Sequence, residues 1–151
     1  MAVITANPAL SARLVETLYT EALLLADETR AYFDHDGHIE RDALDPQGRV
    51  QFACEALKAT TRLMHVIAWL ARRRAADAGH LRPDDSVIGR LAQTAASETD
   101  VLGRLPFAAR RLILAGIDLS ERVGRLADGV DAPLTANSPA RSLMQRLERA
   151  F

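Results

Sequence analysis

The sequence predicts an all-α protein: an antiparallel bundle of three long helices, with a short connecting helix and a short C-terminal helix. Three observations predict it. Long stretches repeat apolar residues at helical spacing. Asp or Asn followed by Pro opens two of them, and glycine closes two. No stretch alternates as a strand does, and no hairpin turn signal occurs.

The first helix opens at Asn7-Pro8, a cap residue followed by the imino acid that suits the first helical position. Leu14, Val15, Leu18, Ala22, Leu25, Thr29, Tyr32 and Phe33 share one face. The helix is expected to end near Asp34-His35-Asp36-Gly37-His38, with Gly37 as its stop. The second follows Asp45-Pro46 and runs to Asp77-Ala78-Gly79. Its apolar arc is much wider than the roughly 100° of a one-sided helix, so it is expected at the centre, covered on two sides. Cys54 projects into this arc and is expected in the core. The third opens at Pro106 and runs to about Gly129. Leu105, Ala108, Leu112, Ala115, Leu119, Val123, Leu126 and Val130 form its stripe.

Between His80 and Leu105, Pro83-Asp84-Asp85 is a cap signal for a short helix carrying Ile88, Leu91, Ala92 and Ala95 on one face. The domain reading is a helical bundle over residues 1–130, a linker over 131–139, and an amphipathic tail helix over 140–151. Leu143, Leu147 and Phe151 fall at i, i+4 and i+8 of the tail, which is too short to be stable as an isolated helix.

Composition narrows the function. The 151 residues are 48% hydrophobic and carry a net charge of −1, so no global field favours nucleic acid or an anionic membrane. Lys58 is the sole lysine and Cys54 the sole cysteine, which excludes an intrachain disulfide and a cysteine zinc site. No apolar run approaches the roughly 18 residues of a membrane span, and no secretory signal opens the chain, so it is read as cytoplasmic. Asp34, His35, Asp36 and His38 match no strong metal template, and no Glu-x-x-His pair occurs. No catalytic residues, metal or cofactor are expected. Arg72-Arg73-Arg74 lies at a helix C-terminus, where the dipole favours cations.

Two surfaces are candidates for contact. On the second helix, Gln51, Glu55, Lys58, Arg62, His65, Trp69 and Arg73 form a narrow polar stripe. It reads either as a solvated face with Trp69 at the core edge or as an interaction face, since Arg and Trp are typical of binding hot spots. Arg62 also has the length to reach Glu21 or Glu28 of the first helix. On the third helix, Ile113, Gly116, Ile117, Ser120 and Gly124 form a second surface with small residues. Glycine inside a helix costs about 1 kcal/mol against alanine, so close packing is implied, against either the bundle's own core or a second copy. A two-fold homodimer is the expected assembly.

Three blocks carry a resemblance: Glu28-Thr29-Arg30-Ala31-Tyr32-Phe33-Asp34; Thr60-Thr61-Arg62-Leu63-Met64 with Ala68-Trp69-Leu70; and Leu105-Pro106, Arg110-Arg111-Leu112-Ile113, Ser120 and Arg122 to Leu126. Together they resemble the bacterial regulator-of-CtrA-degradation (RcdA-like) family over roughly Leu10 to Val130. The resemblance implies a dimeric three-helix bundle without enzymatic activity. It implies a cytoplasmic adaptor that helps deliver substrates such as CtrA to the ClpXP protease, with other adaptors as partners and recruitment to the cell pole. It also implies partner contacts through the C-terminal tail, which here carries the Leu143, Leu147 and Phe151 helix. The alternatives are a DNA-associated helical domain and a small-ligand-binding bundle.

Overall fold

The computed structural model describes residues 8–80 and 89–131. Within them lie α1 (Pro8–Ala31), a π-helical turn (Tyr32–Asp36), α2 (His38–Asp42), α3 (Pro46–Asp77), α4 (Thr99–Arg104) and α5 (Phe107–Asp131). The expected tail helix with Leu143, Leu147 and Phe151 lies outside the described residues.

Local chemistry sets the helix ends. The Asp45 side chain accepts a hydrogen bond from the Gly48 amide at 2.7 Å, with Pro46 in the first turn of α3. Gly79, at φ +72°, turns the chain out of the helix in the left-handed region that glycine adopts without strain. Gly37 works differently. Its φ is −83°, and a Cβ there would lie 2.9 Å from the Tyr32 carbonyl oxygen and ring, so close approach requires the glycine. The first long helix thus ends in a wider π turn. Tyr32 is thereby buried, with its hydroxyl donating to Glu40 at 2.6 Å.

The three long helices pack as a bundle. Arg74 of α3 pairs with Glu16 of α1 at 2.6 Å, while Phe33 and Phe52 meet at the other end of the same pair. These contacts make α1 and α3 antiparallel. Glu28 meets Arg111, and Glu21 meets Arg122, so α1 is antiparallel to α5 as well. α3 and α5 therefore point the same way. Their polarity requires the chain to return along the length of α3 before α5 begins. One apolar cluster holds Val15, Leu18, Ala22, Leu63, Val66, Trp69, Leu70, Leu119 and Val123. A second, toward α2, holds Tyr32, Phe52, Ala59, Leu102, Leu105, Ala109, Leu112 and Ile113.

The return segment departs from expectation. Residues 89–98 form no helix but run drawn out along α3, from Gly89 at Trp69 to Ser97 at Glu55, and the short helix comes later, as α4. Gly89 has φ +62°, and the carbonyls of Gly89, Ala95 and Ala96 accept hydrogen bonds from α3 side chains instead of from amides four residues on. Of the expected apolar face, Leu91 is buried while Ala92 and Ala95 are exposed, and Ile88 lies outside the described residues. Cys54 is also exposed rather than in the core, because the part of the α3 arc that carries it has no neighbouring element among the described residues.

Candidate interaction site

The polar stripe of α3 is neither a solvated face nor, among the described residues, an open one. It runs Glu55, Lys58, Arg62, His65, Trp69, alternating steps of three and four, which keeps all five on one side of the helix. The extended segment 89–98 lies along it as a strap, antiparallel to α3. The Lys58 ammonium donates to the Ala96 carbonyl at 3.0 Å, the Arg62 Nη2 to the Ala95 carbonyl at 3.3 Å, and the Trp69 indole N–H to the Gly89 carbonyl at 3.1 Å. His65 Nδ1 lies 3.1 Å from the Thr94 hydroxyl oxygen, and Ser97 donates to the Glu55 carboxylate.

The strap changes the electrostatics beneath it. Glu55 is only 2% exposed, and its carboxyl oxygens accept from Lys58 at 2.9 Å and from Ser97. Arg62, 6% exposed, has a buried Nη1 without a hydrogen-bond partner among the described residues. Burial lowers the pKa of its guanidinium, while the charge of Glu55 opposes that shift. Arg62 therefore does not reach Glu21 or Glu28. Those carboxylates pair with Arg122 and Arg111 of α5. Arg73, the last member of the expected stripe, stands apart: it pairs with Asp77 at 3.2 Å, one turn further along α3.

The second candidate surface divides. Ile113 is fully buried, and Gly116 is buried with a Cβ position 4.0 Å from Leu63, so these two serve the packing of α5 on α3. Ile117, Ser120 and Gly124 instead line a groove of about 750 Å³ between α5 and the strap, together with Arg62 and Thr94.

A different face of α3 is left open. Val50, Leu57 and Met64, seven residues apart, are 64%, 68% and 64% exposed. Ala53, Cys54 and Thr60 are exposed between them and Ala68 just beyond, so the strip from Val50 to Met64 carries no charge over roughly 21 Å at 1.5 Å per residue. The seven-residue recurrence was the signal in the sequence. The wide-arc reading hid it by assigning the whole arc to the core.

Among the described residues no three His, Cys, Asp or Glu side chains gather as a metal site, and no helix is long and apolar enough to cross a membrane. The family model described as Protein of unknown function (DUF1465) matches residues 6–151. The crystal structure of RcdA from Caulobacter crescentus CB15 is similar, with a TM-score of 0.69 and 27% identity, over 83% of this chain and 97% of that one. The chain belongs to the RcdA-like family. No curated protein matches it by sequence. The likeness to RcdA extends along nearly the whole of that protein, so this RcdA-like chain shares its architecture rather than one helical hairpin.

Proposed function

We propose that the chain is a non-enzymatic adaptor in regulated proteolysis, serving ClpXP-dependent turnover of a cell-cycle regulator such as CtrA through protein–protein contacts. The observation that carries this reading is the likeness to RcdA over 97% of that chain at 27% identity. An adaptor acts by holding substrate and protease together, which raises their effective concentration without new chemistry. The cytoplasm, with recruitment to the cell pole, is the setting this role implies.

The adaptor works as a homodimer. The uncharged Val50, Leu57 and Met64 strip supports this, because side chains recurring every seven residues suit pairing with a like helix, and a two-fold contact places the strip against its own copy. The C-terminal tail supplies the partner contact, with Leu143, Leu147 and Phe151 as anchors for a groove.

The test is affinity purification of the tagged full chain from its native host beside a form lacking residues 131–151. Protease-associated proteins and a client are expected with the full chain and lost with the truncated one, whose circular dichroism stays helical. Capture retained after truncation refutes the tail's part. A full chain that retains no such protein, and does not speed client degradation by purified protease, refutes the adaptor reading.

A further inference from the structure

We propose that the Glu55–Trp69 stripe of α3 is a receptor for extended peptide, occupied in cis by residues 89–98, and that an extended segment of a partner protein, uncharged along its centre as residues 91–97 are, exchanges with this strap. Lys58, Arg62 and Trp69 all donate to main-chain carbonyls, of Ala96, Ala95 and Gly89. Every extended peptide offers carbonyls, so this part of the contact does not depend on which side chains the peptide carries. Specificity is left to three places: the small hydroxyls of Thr94 and Ser97, set against His65 and Glu55, and the buried Leu91. The matching partner segment has a leucine-like anchor followed by uncharged, mostly small residues, as Ala92 to Ser97 are.

The strap is weakly built for a permanent element. Leu91 is its one buried residue, while Arg90, Ala92, Gln93, Ala95, Ala96 and Glu98 are exposed. Among the described residues no backbone–backbone hydrogen bond is made by residues 90–97. Segments with few buried apolar contacts and little backbone hydrogen bonding open at the low end of a protein's local stabilities. Beneath it, by contrast, the receptor side chains are fixed on a long helix. Removing the strap leaves Glu55 and Arg62 needing new partners, and a second extended chain laid on the same line supplies them. The inference draws on the adaptor reading only for why a partner's segment arrives; its test uses the strap's own sequence.

The probe is a fluorescein-labelled peptide of residues 89–98, titrated into the full chain and into its Leu91→Asp variant. Trp69, the one tryptophan, reports the contact through its indole N–H. In the variant, its emission is expected to shift to the red as the strap lifts. The peptide is expected to bind the variant at least ten-fold tighter than the unaltered chain and to return the emission toward blue. If Leu91→Asp does not fold, as judged by circular dichroism, Leu91→Ala replaces it. A folded variant that fails to bind the peptide, or equal binding to variant and unaltered chain, overturns the proposal. Because the peptide comes from this chain, that result leaves partner capture by the tail to be judged separately.

Discussion

Two faces of α3 invert the usual rule. The face bearing Glu55, Lys58, Arg62, His65 and Trp69 is polar and covered, whereas the face bearing Val50, Leu57 and Met64 is apolar and exposed. The difference lies in what each neighbour offers. The strap brings carbonyls and hydroxyls, which suit charged and indole donors and make the burial of Glu55 and Arg62 tolerable. Nothing comparable lies over the apolar strip among the described residues, and a strip of that kind marks a surface for association.

Four measurements test this contrast. Trp69→Ala should have the largest effect, because it removes a core ring and the strap's Gly89 bond together. A loss of about 3 to 5 kcal/mol in denaturant unfolding is expected, and a loss under about 1 kcal/mol would return Trp69 to the core edge. Glu55→Ala leaves Lys58, Ser97 and the nearby Arg62 charge without their carboxylate. Breaking such a buried set costs about 3 kcal/mol, and near-neutral unfolding would show that water reaches the stripe.

Tyr32 lies on neither face and serves as a reference. Burial, followed by its hydrogen bond to Glu40, pushes the phenol pKa up from its ordinary value near 10. The unfolded chain therefore loses this proton first, so stability falls as pH climbs above about 10. Tyr32→Phe should cost about 1 kcal/mol at neutral pH and remove that alkaline slope, and a slope left intact would place its origin elsewhere.

The smallest effect on stability is expected at the open face. Leu57→Glu should change unfolding by no more than about 0.5 kcal/mol yet lower self-association in sedimentation. A large stability loss with no change in association would mean that Leu57 is covered within the chain.

The helices were legible because their signals are local. Asp45-Pro46 and Gly79 place the bounds of α3 from within a few residues, and the periodicity of Val15, Leu18 and Ala22 needs only a neighbour to pack against. The stripe was legible too, as a line of side chains, but its covering was not. Gly89 to Glu98 has no strong pattern, and its extended course is held by bonds from residues 20 to 42 positions away. Arg62 shows the limit: its reach was evident, but whether it met Glu21, Glu28 or a carbonyl depended on where Arg111, Arg122 and the strap already stood.

Local sequence was enough for the three long helices, the all-α class and the family blocks, because capping, proline geometry and 3.6-residue periodicity act over a few residues. Tertiary structure alone decided that α3 and α5 run the same way, that the polar stripe is sealed by the chain's own return, and that Cys54 and its apolar neighbours face outward. Helical periodicity fixes which residues share a side. Burial depends on which distant segment arrives to cover that side, and on whether its hydrogen-bonding groups match what they find there.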